Sequence, residues 1–89
     1  MNQPKPEELF EFPCTYTFKV IGPGDSSFDD RVFQAISRIM SISKDAVKCR
    51  PSSKGKYLSV SVMVYIYNYQ QIIDTYAELR TLSDLKYMV

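Results

Sequence analysis

A strict alternation of apolar and polar side chains between Lys56 and Tyr67 constrains the fold of this chain more than any other feature. Successive side chains of a strand point to opposite faces, so a period of two indicates a half-buried strand. The apolar side consists of Leu58, Val60, Val62, Val64 and Ile66, and the opposite side consists of Tyr57, Ser59, Ser61, Met63, Tyr65 and Tyr67. This strand is therefore expected to cover a core with one face and to leave its other face open.

The remaining segments predict a βαββαβ order. Tyr16, Phe18 and Val20 alternate with polar neighbours from Pro13 onward, and this strand is expected to end at Gly22-Pro23-Gly24. Apolar residues at helical spacing predict one helix over 27–41, with N-cap groups at 25–27, and a second over 69–81. Short strands are predicted over 46–50 and 85–89.

Each βαβ crossover is right-handed in nearly all proteins, which leaves few ways to arrange these elements. The predicted fold is α+β: a ferredoxin-like βαββαβ sandwich with an antiparallel sheet in the order 4-1-3-2 and both helices on one face. Residues 1–12 are expected to form a loose N-terminal arm. Residues 13–89 are expected to form one ferredoxin-like domain, since 89 residues hold a single core.

Composition excludes several classes of function. The chain has no histidine, the commonest general base and a frequent zinc ligand, so we expect no enzyme, no metal site and no cofactor. Eleven basic and ten acidic residues provide no global field for nucleic acid or an anionic membrane. No apolar run approaches the roughly 20 residues that span a bilayer. The first residues lack the pattern of a signal peptide, so a cytoplasmic location is expected.

The two cysteines are predicted to be free thiols. Cys14 falls on the first predicted strand and Cys49 on the second, with the third strand between them. Two strand spacings are about 9.6 Å, which exceeds the roughly 7 Å that a disulfide can bridge between Cα atoms. Both thiols are expected to be mostly buried.

One sheet face remains uncovered by helices in this fold, and none of its predicted residues is acidic. They are Thr15, Thr17, Lys19, Lys48, Arg50, Ser59, Ser61, Met63, Tyr65, Tyr67, Lys86 and Met88. A solvated antiparallel face is one interpretation. The other is a contact face for a second copy or another protein, because Tyr and Met are favoured at interfaces. The candidate interface residues are Thr17, Lys19, Ser59, Ser61, Met63 and Tyr65.

A basic loop leads into the alternating strand. Its cations and hydroxyls suit a carboxylate or phosphate, although lysines at a hairpin tip also protect an edge strand and keep it soluble. The candidate anion-binding or partner-binding residues are Lys48, Arg50, Ser52, Ser53, Lys54, Gly55 and Lys56.

The turn at Gly22, Gly24 and Asp25 is a weaker candidate for a ligand. It precedes a helix, and helix starts often bind anions. The carboxylates of Asp25, Asp29 and Asp30 already occupy that position, so capping of the helix is the favoured interpretation. A ligand with an amine would suit this turn better than a pure anion.

Binding of RNA is disfavoured. RNA-recognition modules share this topology, and their third strand carries K/R-G-F/Y-G/A-F-V-x-F/Y. Lys54 and Gly55 match the start of that pattern, but Lys56 and Leu58 stand where stacking aromatic residues belong.

The chain resembles the YbeD-like family of small uncharacterised bacterial proteins from Phe12 to its end. The resemblance rests on segments 12–13, 16–20, 50–57 and 59–62 together with Tyr76 and Leu79; the loop 22–27 and the N-terminal arm depart from it. It implies a fold similar to ACT domains, which bind amino acids and pair through their sheets. It also implies a regulatory role linked to lipoate, and it brings no catalytic residues.

Two hypotheses about function follow. The first is a non-enzymatic regulatory or protein-interaction module that binds another protein or a second copy of itself. Self-association predicts a homodimer that buries the uncovered sheet face or pairs edge strands. The alternative is a sensor for a small ligand: an amino acid, lipoate or another anion.

Overall fold

The computed structural model describes residues 11–25 and 27–88. Within them the element order is βαββαβ, as predicted. The strands are β1 (Cys14–Pro23), β2 (Val47–Pro51), β3 (Tyr57–Ile66) and β4 (Tyr87–Met88), and the helices are α1 (Phe28–Ser37) and α2 (Tyr69–Arg80). A short 3-10 helix, Lys44–Ala46, precedes β2. Of the predicted arm over 1–12, residues 1–10 lie outside the described residues.

The four strands form one antiparallel sheet in the order β2-β3-β1-β4. This is the predicted order 4-1-3-2, counted from the opposite edge. The two central strands pair over ten residues each, from Cys14 opposite Ile66 to Pro23 opposite Tyr57. The ferredoxin-like fold is therefore confirmed.

The core lies between the sheet and the two helices. Phe18 and Val20 of β1 and Val60 and Val62 of β3 are almost fully buried, as the alternation of both strands predicts. The helices contribute Phe28, Val32, Ala35, Ile36, Ile72 and Leu79. Burial of one aliphatic or aromatic side chain contributes about 1.5–3 kcal/mol, so this layer supplies most of the stability of the domain.

The predicted end of the first strand is confirmed, because β1 ends at Pro23, with Gly22 paired to Leu58 and Pro23 paired to Tyr57. Two other predicted boundaries were wrong. β4 begins at Tyr87 and not at residue 85. α1 ends at Ser37 and not at residue 41. A tighter turn of the 3-10 type follows the helix, because the Ile39 N–H donates to the Ile36 carbonyl, three residues earlier, at 3.0 Å.

The assignment of Lys86 and Met88 to the uncovered sheet face was also wrong. Met88 pairs with Val20, a core residue, and packs against the core. Lys86 precedes β4, and its N–H donates to the Ile21 carbonyl at 2.8 Å. The β4 residue on the uncovered side is Tyr87, which pairs with Ile21 and is 62% exposed.

The end of β1 packs directly against the hairpin between β2 and β3. The Gly24 N–H donates to the Lys56 carbonyl at 2.9 Å. A Cβ atom on Gly24 would lie 2.0 Å from the Gly55 carbonyl oxygen. Only glycine permits this approach, so two loops that are distant in sequence form one rigid corner of the sheet.

Both cysteines are free, as predicted, but the expected burial fails for Cys49. Cys14 is half-buried, whereas Cys49 is exposed because β2 is an edge strand and only its first residue is half-buried. Partial burial of the Cys49 thiol and the neighbouring Asp29 carboxylate raise its pKa.

Substitution Gly24→Ala is expected to lower the free energy of unfolding by about 1–3 kcal/mol, because the added methyl group overpacks the corner against a backbone carbonyl. Gly55→Asn is the matched control. Gly55 has a φ of 69° but open space around it, and Asn tolerates that conformation. Urea unfolding of both variants measures the difference, and an equal loss would contradict the role of Gly24.

At pH 8, iodoacetamide is expected to alkylate Cys49 of the folded protein more slowly than it alkylates cysteine in an unstructured peptide. The reason is that the raised pKa of Cys49 lowers its thiolate fraction. Asp29→Asn should accelerate the reaction, since it removes a carboxylate that opposes ionisation. Asp74→Asn on α2 is the control. Peptide mass spectrometry measures the rate at each cysteine, and an unchanged rate in Asp29→Asn would refute the electrostatic explanation.

Candidate functional site

The sheet face opposite the helices is the candidate site, and the pairing register arranges its side chains in rows across β2, β3 and β1. Arg50, Ser59 and Ile21 form the row nearest the hairpin. Lys48, Ser61 and Lys19 form the next row. Two further rows pair Met63 with Thr17 and Tyr65 with Thr15. These ten residues are called the open face below.

The open face has a trough along β3, because this strand carries two small residues there. Ser59 and Ser61 stand between longer side chains of the neighbouring strands. A cavity of about 410 Å³ opens beside Ser59 and is lined by Lys19, Ile21, Arg50, Pro51, Ser52, Tyr57 and Ser59. A second, of about 210 Å³, lies beside Ser61 and is lined by Thr17, Asp45, Ala46, Lys48, Ser61 and Met63.

The open face has cations without carboxylate partners. Among the described residues, Lys19, Lys48 and Arg50 form no salt bridge. The salt bridges found among the described residues instead involve the helices and the segments that flank them. Arg31 pairs with Asp25 and Asp84, Arg38 with Glu78, and Lys44 with Asp30. A positive field therefore extends from the open face.

The opposite end of the open face is apolar and aromatic. Met63 is 58% exposed and Tyr65 is 53% exposed. The ring of Tyr65 contacts that of Tyr67 edge to face, with 5.2 Å between their centroids. The face thus changes along β3 from cationic beside Ser59 and Ser61 to aromatic beside Tyr65.

The basic loop divides between this face and the hairpin tip. Arg50 and Ser52 line the larger cavity, and Lys48 lines the smaller one. The remaining loop candidates, Ser53, Lys54, Gly55 and Lys56, line neither cavity. Lys56 lies over the Tyr57 ring, with its Nζ 5.5 Å from the centroid. The structure therefore brings part of the loop together with part of the predicted interface.

The turn at Gly22, Gly24 and Asp25 is engaged in structural contacts. Asp25 accepts hydrogen bonds from the Ser27 N–H at 2.9 Å and from Arg31 at 3.2 Å. The hydrogen bond from Ser27 lowers the pKa of Asp25 most, and that from Arg31 contributes. Gly22 is buried, and a Cβ there would lie 2.2 Å from the Phe28 ring. These contacts hold the start of α1 against β1.

The sequence interpretation missed three residues of the larger cavity: Ile21, Pro51 and Tyr57. Ile21 falls on the polar side of the β1 alternation, and that break in the pattern was the available signal. Asp45 was also missed. It lies in the 3-10 helix before β2 and places a carboxylate at the smaller cavity.

A third cavity, of about 270 Å³, lies on the helix side between β1 and α2. It is lined by Tyr16, Tyr69, Ile72, Ile73, Tyr76 and Arg80. The hydroxyls of Tyr16 and Tyr76 are hydrogen-bonded at 2.8 Å, and burial raises the pKa of Tyr76. Within residues 11–25 and 27–88, no cluster of three or more potential metal ligands occurs. No helix in the same ranges has the length and apolarity to cross a bilayer.

Comparisons with known proteins agree with this fold. The model of the family described as "Protein of unknown function (DUF493)" matches residues 7–89. A UPF0250 protein of Idiomarina loihiensis is 34% identical over 89 residues, which is the full length of both chains. A UPF0250 protein of Shewanella sediminis is 34% identical over 86 residues, or 97% of each chain.

The solution structure of protein HP0495 from H. pylori is similar with a TM-score of 0.74. The match covers 98% of this chain and 88% of that one, at 14% identity, so it supports the fold alone. The family match and the full-length relatives confirm the YbeD-like resemblance. The chain therefore belongs to the DUF493 family.

Proposed function

We propose that this protein is a non-enzymatic interaction module whose open face binds an acidic segment of a partner protein. The observation that carries the proposal is the segregation of charge. Lys19, Lys48 and Arg50 lack carboxylate partners in the described part of the chain, whereas Arg31, Arg38 and Lys44 beside the helices are paired. An acidic segment would supply the missing counter-charges and be steered to this face.

The form of the open face suits an extended segment rather than a compact molecule. The two cavities lie beside Ser59 and Ser61, the second reaches Thr17 and Met63, and the exposed Tyr65 follows Met63 on the same side of β3. Tyr and Met are enriched at the centres of protein interfaces, so exposed residues of these types mark a candidate contact surface. A partner segment would place apolar side chains on Met63 and Tyr65 and carboxylates near Lys19 and Lys48.

A second copy of the chain suits this face less well. A face-to-face dimer would bring Lys19, Lys48 and Arg50 of both copies together, with Asp45 as the single acid among the residues that line the two cavities. Juxtaposed like charges oppose association. The outer edge of β2 is also protected, because it carries Lys48, Arg50 and Pro51. These charges are the reason that an acidic partner, and not self-association, is proposed for the open face.

The chemistry of the face supports binding without catalysis. The chain contains no histidine. The two cavities of the open face contain no thiol among their lining residues, and their one carboxylate is that of Asp45. Cations and hydroxyls without a neighbouring base position an anion but do not activate a nucleophile.

The test begins with partners captured on the immobilised protein from an extract of its host and identified by mass spectrometry. Each purified partner is then titrated against the wild type, Lys48→Glu and Lys44→Glu. Lys48→Glu is expected to weaken binding by roughly tenfold or more, because it turns an attraction into a repulsion at the interface. Affinity for the wild type should also fall as salt is raised, since salt screens exposed charges.

Lys44→Glu is the matched control. It makes the same change of charge four residues before Lys48, at a lysine that pairs with Asp30 beside α1 and not with the open face. Equal loss of affinity in both variants would refute the open face as the interface. Sedimentation of the protein alone decides the competing occupant. If the wild type is a dimer and Lys48→Glu is a monomer, the open face binds a second copy of the chain and not an acidic partner.

A further inference from the structure

The larger cavity of the open face is lined by several hydrogen-bond donors. Lys19 reaches it from β1 and Arg50 from β2, and neither forms a salt bridge among the described residues. Ser52 and Ser59 add hydroxyl groups. No acidic residue lines the cavity. An oxyanion placed here would be met by a guanidinium, an ammonium and two hydroxyls.

The hairpin that carries Arg50 and Ser52 is held in place before any ligand arrives. The Ser52 N–H donates to the Tyr57 carbonyl at 2.9 Å. The Tyr57 N–H donates to the Ser52 Oγ at 3.1 Å. Because the Ser52 Oγ accepts in that bond, its own O–H can still donate to an anion. Donors fixed in advance lose little entropy on binding.

The rest of the cavity is apolar. Ile21 and Pro51 provide aliphatic surface, and the Tyr57 ring forms part of the wall. The volume of about 410 Å³ falls within the range of about 300–1,000 Å³ that is usual for small-molecule sites. Bare phosphate would leave this apolar surface unused, whereas an acid with a hydrocarbon body would cover it.

We propose that this cavity is a binding site for a carboxylate carried on a small apolar body. The carboxylate pairs with the Arg50 guanidinium, whose planar fork matches two carboxylate oxygens. Lys19, Ser52 and Ser59 complete the polar shell, and the body packs on Ile21, Pro51 and Tyr57. Two sources have this chemistry: a free organic acid, and an acidic or C-terminal residue within a protein segment.

This inference deepens the proposed function and rests on it in one respect: a free acid would compete with the partner for Lys19 and Arg50. Binding of the acid itself does not require a partner. A failure of acid binding would thus leave the partner interface supported by Lys48, which lies outside this cavity. A failure of the partner interface would likewise leave the acid site open to direct measurement.

The test is titration of the full chain, followed by NMR, with phenylacetate and hexanoate as free acids. A short peptide ending in phenylalanine represents the protein source, with its C-terminus either free or amidated. Phenylacetamide, hexanol and inorganic phosphate are the controls for charge and for the apolar body. We expect the acids to shift the amide signals of Arg50, Ser52 and Tyr57 with saturation, and the neutral analogues to bind at least roughly tenfold more weakly.

Three variants decide whether the cavity is responsible. Arg50→Gln should weaken acid binding at least roughly tenfold by removing a charge-assisted bond, and Ser59→Leu should abolish it by filling the cavity. Lys54→Gln removes the same charge from the hairpin tip, outside the cavity, and should leave the affinity unchanged. Ser59→Leu alters an exposed face and not the core, and the dispersion of its NMR spectrum verifies that it folds.

Equal weakening by Lys54→Gln and Arg50→Gln would overturn the proposal, because attraction by diffuse charge would then suffice. Phosphate binding as tight as phenylacetate would overturn the requirement for an apolar body. Stronger binding of the free-acid peptide than of either small acid would assign the site to a protein segment. The reverse order would assign it to a free metabolite.

Discussion

The ten-residue pairing of β1 with β3 is the constraint on which the rest of this structure depends. Its register, from Cys14 opposite Ile66 to Pro23 opposite Tyr57, determines which side chains enter the core and which face outward. A slip of one residue would exchange the two faces of a strand. The buried Phe18, Val20, Val60 and Val62 therefore hold the open face in register as well as stabilising the domain.

The two sides of the sheet differ in how their charges are paired, although the net charge of the chain is only +1. On the helix side, acids and cations pair across the surface, as in Arg38 with Glu78 and Lys44 with Asp30. On the open face, cations flank the serines of β3 without such partners in the described residues. A nearly neutral chain can thus present a face that carries more cations than acids, which the net charge alone does not reveal.

Much of the fold was predictable because both central strands alternate over long segments. The same alternation predicts that Thr17, Lys19, Ser61 and Met63 lie on the uncovered side of the sheet, and the pairing register confirms it. Met88 was misplaced because β4 has two residues, too few for a pattern to show which side faces the core. The end of α1 was also obscured, since Met40 continues the apolar spacing and packs on the core after the helix has ended.

The candidate site was less predictable than the fold because it depends on contacts between distant segments. The approach of Gly24 to Gly55 joins two loops that looked like separate candidates in the sequence. The trough exists because Ser59 and Ser61 fall opposite long side chains on both neighbouring strands, which only the register reveals. Residue types can suggest a basic loop, but they cannot show that Arg50 and Lys19 share a cavity.

The most direct measurement of the central claim is NMR mapping of the interface on the isotopically labelled protein as an identified acidic partner is added. The account predicts that amide signals shift along β1, β2 and β3, centred on Lys19, Lys48 and Ser61. It also predicts that those of α1 and α2 remain in place. Shifts concentrated on the two helices, with the open-face signals unchanged, would contradict it.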